Sequence, residues 1–311
     1  MVEGQEDVTW QEWRALAAAC EEHGLEGLFR SDHYVSVAAE KDRGSLDAWT
    51  VIAGLAAVTS RIRLGTMVSP ATFRHPSLLA KAVVTADHIS GGRVELGMGA
   101  GWYEREHRAY GFPFPGDATR IGILQEQVEI VHRQWTEEEV SFRGRHYVLD
   151  SVRALPKPLQ DPHPPLVVGG YAGPRAVALA ARWADGYNLV SAPADDCADA
   201  RRRLEAAWRD AGRDPGSVVF SLMTGCVVGR DAGEVDERIA AVQRSRGAEP
   251  DPAAFRAQKP AWIVGTVDEV VERLRTLEKA GVDRVMLQHL AHRDLEMVEV
   301  LGRDVAPAAA G

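Results

Sequence analysis

The sequence predicts a single-domain (β/α)8 TIM barrel. Three observations carry that prediction. Segments of helical and strand periodicity alternate along the whole chain. The strands are short, apolar and rich in β-branched residues, as in a parallel sheet covered on both faces. A chain of 311 residues is also a usual length for such a barrel built as one domain. Eight repeats of the unit close into a barrel, whereas five or six leave an open sheet. Seven strands are clear, and that count favours closure.

The elements follow in order. Residues 10–23 carry apolar positions at helical spacing and stop at Gly24, a residue suited to ending a helix. Residues 25–30 are a short apolar strand. In 46–60, Leu46, Trp49, Ile52, Ala53 and Ala56 fall at i, i+3, i+4 spacing, so this segment is helical. Strand 62–68 leads to helix 77–89, with Pro76 at its start, and then to strand 93–98. A loop rich in glycine and aromatics precedes helix 118–135. Residues 137–165 form an insertion with a small hairpin, 140–142 and 146–149, turning at Gly144. Strand 166–168, helix 173–184, strand 186–190, helix 195–211 and strand 218–228 restore the alternation. The polar stretch 231–260 is expected to hold one helix and a mobile loop, and is a candidate lid. Helix 267–280, strand 284–288 and helix 295–305 complete the series. The Ala-rich end, 306–311, is expected to be a disordered tail.

The first strand is missing from this count. Met1–Gly4 are too few for a full one. Either Met1, Val2 and Glu3 are the C-terminal stub of that strand, or the barrel closes by other means. A start site placed too late would account for so short a strand.

Composition narrows the function. The net charge is −9, which repels a phosphate backbone and argues against nucleic acid and against a polybasic membrane anchor. The N-terminus lacks the basic and apolar regions of a signal peptide. The longest apolar stretch, near 49–58, falls far short of a membrane span. Cys20, Cys197 and Cys226 are odd in number and far apart. They read as reduced thiols in a cytoplasmic protein, with no metal site.

Barrel chemistry sits at the C-terminal ends of strands. One strand there ends in Asp32-His33, a hydrogen-bond acceptor beside a group that titrates near neutrality. The pair suits acid/base work or hydrogen bonding to a cofactor ring. It equally suits an Asp capping a turn with a His packed beside it. Gly97, Gly99 and Gly101 are spaced G-x-G-x-G rather than G-x-G-x-x-G. Trp102 and Tyr103 follow where a tight helix start is required, so the dinucleotide fingerprint is absent. Glycines here let a flat ring or a phosphate approach bare backbone. Trp102 and Tyr103 either line a ring-binding cavity or simply pack. Gly169, Gly170, Gly173 and Pro174 precede a helix whose free N–H groups suit an anion, with Arg175 nearby; a tight turn that binds nothing is the alternative. Glu104, Arg105, Glu106 and His107 read as a solvated loop or the first turn of a short helix. His289 and His292 read as surface residues.

Five segments in register, LEGLFRSDHY, SRIRLGTMVSPATFRHP, SGGRVELGMGAGWYEREHRAYG, PPLVVGGYAGPRAVALAARWADGYN and IVGTVDEVVERLRTLEKAGVDRVML, span nearly the whole chain. Together they resemble the luciferase-like monooxygenase superfamily, most closely its actinobacterial branch using the deazaflavin coenzyme F420. The resemblance implies a bacterial luciferase-like barrel with F420 at its mouth and a two-electron oxidoreductase reaction on a small molecule. FMN with dioxygen and a separate flavin reductase is the alternative, and a non-catalytic cofactor-binding protein is another. Asp32 is similar to the residue that hydrogen-bonds the ring edge. His33 takes the place of a catalytic His in the sugar-phosphate dehydrogenase members. Thr66, Met67 and Val68 resemble the segment behind the ring, with a non-proline cis peptide expected at Met67–Val68. Gly99, Ala100, Gly101, Gly169, Gly170, Gly173 and Pro174 resemble the contacts to the cofactor tail and phosphate. Two positions depart from those dehydrogenases. Val37 stands where they carry a Trp, and Trp102 stands where they carry a Glu. The departures argue against glucose-6-phosphate and for a more hydrophobic substrate. A homodimer is expected, through the helix face of 46–58 or 78–89.

Overall fold

The structure is a computed structural model and describes residues 1–38 and 43–310. Helix α1 (Trp10–Glu22) starts at a reciprocal capping box: Thr9 accepts from the Glu12 amide, and the Glu12 carboxylate accepts from the Thr9 amide. Then come β1 (Gly27–Arg30), α2 (Ala48–Val58), β2 (Arg63–Pro70), α3 (Pro76–Ser90) and β3 (Val94–Gly99). Helices α4 (Glu104–Tyr110) and α5 (Asp117–Thr136) precede the antiparallel hairpin of β4 (Val140–Arg143) and β5 (Val148–Val152). The alternation resumes with β6 (Leu166–Gly170), α6 (Pro174–Trp183), β7 (Gly186–Val190), α7 (Ala194–Asp210) and β8 (Val219–Gly229). Next are α8 (Ala232–Ser245), α9 (Pro252–Gln258), β9 (Ile263–Thr266), α10 (Val267–Lys279) and β10 (Arg284–His289). The chain closes with α11 (Leu295–Val300), a π turn (Leu301–Val305) and α12 (Ala306–Ala310).

The strands β1-β2-β3-β6-β7-β8-β10 lie side by side in that order, all parallel. Val2 bridges Arg30 of β1 and His289 of β10, both in parallel. The Met1 ammonium donates to the Leu287 carbonyl at 2.9 Å. The stub at Met1, Val2 and Glu3 therefore stands between the first and last long strands as the eighth stave. Val2 is 2% exposed, and its side chain belongs to the apolar layer between strands and helices.

Three segments differ from expectation. Residues 231–260 hold two helices, α8 and α9, rather than one helix and a mobile loop. They lead into β9, which pairs with the upper half of β8, from Cys226 to Gly229. An eleven-residue β8 thus serves the barrel with its first half and β9 with its second. The last helix is interrupted by a π turn at Leu301–Val305. Gly302 there lies so close to the end of α1 that an added Cβ would fall 2.3 Å from the His23 carbonyl oxygen. Residues 306–310, expected as a disordered tail, form α12, and Arg275 Nη2 donates to the Ala308 carbonyl at 2.9 Å; Gly311 is outside the described residues.

One end of the barrel carries a cluster of paired charges. Glu95 accepts from Arg284 Nη1 at 2.8 Å and also from Arg63, and Arg284 reaches Glu26. These residues sit at the starts of their strands. Above them Phe29, Met67, Val167 and Met286 fill the interior with apolar side chains. A cavity also opens at the opposite end, where the strands finish.

Candidate active site

A cavity of about 630 Å³ opens at the C-terminal ends of the strands. Its back wall follows from an irregularity in β2. Pairing with β3 slips between Thr66 and Ser69, and the Met67–Val68 peptide is cis. The Val68 side chain then lies across the glycines of β3 and β6. A Cβ added at Gly99 or at Gly169 would sit 2.6 Å from a Val68 methyl, and one at Gly97 would sit 3.0 Å from it. These positions must be glycine for the bulge to fit. The result is a shelf of backbone and one branched side chain facing the cavity.

Of the residues singled out in the sequence, His33, Met67, Val68, Gly99, Ala100 and Gly101 line the cavity. Trp102, Gly169 and Gly170 do so too. Six others are placed elsewhere. Asp32 is 1% exposed and lies behind the wall. It accepts from Ser69 Oγ at 2.8 Å and from both terminal nitrogens of Arg74, at 2.5 and 3.2 Å. Thr66, fully buried, donates to the Gly97 carbonyl at 3.2 Å. Tyr103 donates its hydroxyl to the Ser36 carbonyl at 3.1 Å. Gly173 and Pro174 are the N-cap and first residue of α6 and are not among the lining residues. Arg175 turns away to Gln125 Oε1 at 3.2 Å.

His33 is the titratable group at the wall whose partner the sequence did not reveal. Its Nδ1 lies 2.7 Å from Oε1 of Glu106, whose other oxygen accepts from the Tyr34 amide at 3.1 Å. Glu106 is fully buried, and of the two readings of 104–107, a solvated loop or the first turn of a short helix, the structure has the helix. The segment is α4, with Glu106 and His107 turned inward. No side-chain cap marks this helix start, because the N-cap residue is Tyr103. Burial disfavours the charged form of His33, but the hydrogen bond and charge of Glu106 outweigh it, and Glu3 and Asp32 add to the effect. The net result holds the His33 proton above the ordinary imidazole range. Trp102 meets the His33 ring edge to face, with centroids 5.8 Å apart.

His107 has a different task. Its Nδ1 donates to the Tyr103 carbonyl at 2.7 Å, and Nε2 accepts from Thr72 at 2.6 Å. It fixes the turn that carries Trp102 and Tyr103. His289, expected at the surface, is 5% exposed. Burial pushes its pKa down to about 4, so it is neutral near pH 7. Its Nε2 donates to the Asp294 carbonyl at 3.0 Å. Both His289 and His292 line the cavity. At the rim, Arg43 joins Glu6 at 2.5 Å and donates to the Ser245 carbonyl. That contact ties the end of α8 to the mouth, where Ser245 and Arg246 join the lining.

The sequence pattern of the family described as luciferase-like monooxygenase matches residues 2–284. The chain belongs to that family. This places it among oxidoreductases. An F420-dependent glucose-6-phosphate dehydrogenase from Nakamurella multipartita is 30% identical, over 94% of this chain and 90% of that protein. Among solved structures, monooxygenase RslO1 from Streptomyces bottropensis is similar at a TM-score of 0.83 and 24% identity, over 98% of each chain. An F420-dependent secondary alcohol dehydrogenase in complex with an F420–acetone adduct is similar at 0.81 and 20% identity, over 99% of this chain and 98% of that one. At these identities the two structures speak to the fold, a luciferase-like barrel.

Proposed function

We propose that this luciferase-like protein binds the deazaflavin coenzyme F420 in its barrel mouth and exchanges a hydride between it and a small, largely apolar organic substrate. The observation that carries the reading is one juxtaposition: a glycine-backed shelf at Val68 and a carboxylate-paired imidazole line the same cavity of about 630 Å³. The volume suits a tricyclic ring together with a small substrate, since ligand cavities run to several hundred Å³. Gly99 and Gly169 leave no side chain between the shelf and a flat ring. The whole-length relative named for F420 supports the same cofactor.

When bound, deazaflavin supplies a two-electron hydride carrier whose ring lacks the nitrogen that supports oxygen chemistry. The protein supplies position and a proton. Val68, Gly99 and Gly101 would hold the ring against the wall. His33 would give or take a proton at Nε2, because Nδ1 is committed to Glu106. Val37, Trp102 and Leu290 give the lining an apolar side. Val37 is 37% and Trp102 63% exposed, so a substrate that covered them would bury apolar surface. Val58, Leu78 and Ile89 expose apolar side chains on α2 and α3, and we assign to this face the pairing of two copies.

Membership of a family described as luciferase-like monooxygenase supports a second reading, FMN supplied by a partner reductase and dioxygen as oxidant. Oxygen dependence separates the two. The F420 reading expects turnover of candidate alcohols or carbonyl compounds under argon, at the aerobic rate. Turnover only with reduced FMN and dissolved oxygen, with oxygen consumed, would replace it by the second reading.

A further inference from the structure

We propose that Glu106 is the positioning residue of the acid/base group: it fixes the ring of His33, selects its tautomer and sets the pH at which it titrates. The inference rests on the reading of His33 as the proton-transfer group.

The geometry points to this assignment in three ways. First, Glu106 is a fully buried carboxylate, and a buried charge must be compensated or it is costly. Its partners are the His33 ring at 2.7 Å and the Tyr34 amide at 3.1 Å. Both belong to the chain just after β1, so Glu106 clamps that one segment. Second, the clamp takes Nδ1. A carboxylate accepts, so Nδ1 carries the proton and Nε2 is the nitrogen that changes state in the neutral-to-cationic cycle. His33 lines the cavity, and its backbone is held separately by Ser45 Oγ, which donates to the His33 carbonyl at 2.7 Å. Backbone and ring are thus pinned by different elements, which leaves proton exchange as the ring's remaining freedom. Third, the other groups that act on His33 are weaker or already neutralised. Glu3 comes from the stub and holds Gln5 at 2.5 Å. Asp32 is paired with Arg74. Trp102 and Tyr103 present uncharged rings at 5.8 and 6.2 Å. Among the described residues, Glu106 is the one carboxylate in direct contact with the imidazole.

A purely structural carboxylate would leave the titration of His33 unchanged when replaced by an isosteric amide. A positioning carboxylate would not. The test is an NMR titration of His33 in the cofactor-free protein, for the parent, Glu106→Gln and Glu106→Asp, with His33→Asn to assign the signal. Removing an opposite charge in contact moves a pKa by about one to three units. Glu106→Gln is therefore expected to lower the His33 midpoint by at least about one unit. Glu106→Asp, which keeps the charge, should recover most of the shift. The acidic limb or plateau of the kcat/KM profile that depends on His33 should move by the same amount and in the same direction, with KM changed little. An unchanged His33 midpoint in Glu106→Gln, with only thermal stability lowered, would overturn the proposal. The outcome is separable from the cofactor reading: the midpoint is measured without cofactor, so a chain that failed to bind F420 would still show the shift if Glu106 acts as described.

Discussion

His33→Ala is expected to lower turnover by about 10²–10⁴-fold, the range for loss of a positioned acid/base group. Cofactor affinity should change little. The two effects separate because His33 stands beside the shelf rather than in it. The shelf is built by Val68 against Gly97, Gly99 and Gly169, and none of these contacts involves the imidazole. The substitution leaves Glu106, buried and facing an empty volume, without its ring partner. The variant should therefore also lose stability, and turnover must be normalised to folded protein. Steady-state kinetics with an accepted substrate, together with a cofactor titration, decide the matter. A collapse of affinity with residual turnover per bound cofactor intact would make His33 a binding residue.

Arg74→Ala should produce the largest loss of stability among single changes near the mouth, about 3–5 kcal/mol, the cost of stripping a buried ion pair of one partner. Asp32 is 1% exposed and receives both terminal nitrogens of Arg74. The same guanidinium donates to the Tyr34 hydroxyl at 2.9 Å and to Asp47 at 2.6 Å. Without it, among the described residues, Ser69 is the side chain that still donates to Asp32. Such a loss is a large share of a typical domain's 5–15 kcal/mol or so. Since Ser69 ends the irregular stretch of β2, the shelf should loosen and cofactor binding should weaken along with stability. Adding Asp32→Asn to Arg74→Ala removes the stranded charge and should recover part of the loss, a coupling read from a double-mutant cycle in urea. A midpoint of Arg74→Ala within experimental error of the parent would contradict this account of Asp32.

The barrel was legible because each repeat carries its own signals. Helices such as α1 and α10 have reciprocal capping boxes at Thr9 and Thr266, and the strands are compact apolar runs. Reading Met1, Val2 and Glu3 as a stub needed only the strand count, and the Val2 bridges agree with it. The glycines of β3 and β6 could be located, but not their reason, which is the Val68 side chain of a different strand. What escaped the sequence depends on partners far along the chain. His289 is buried where Met1 accepts its amide and Asp294 its ring, the first pair standing 288 positions apart. Arg74 sits in a loop whose composition says only that it is a loop, and its ion pair with Asp32 spans 42 positions. Glu106 stood in a segment open between a solvated loop and a short helix, and its burial depends on His33, 73 positions away. Asp32 was correctly singled out as special, yet its neighbours Ser69 and Arg74, rather than the cavity, occupy its oxygens here.

The most direct test of the central claim is an equilibrium titration of the purified protein with oxidised F420 and, separately, with FMN, read by cofactor fluorescence. The account predicts micromolar or tighter binding of F420 and distinctly weaker binding of FMN, with the F420 site weakened when Gly169→Val fills the space against Val68. Tighter binding of FMN than of F420, or binding of neither, would contradict it.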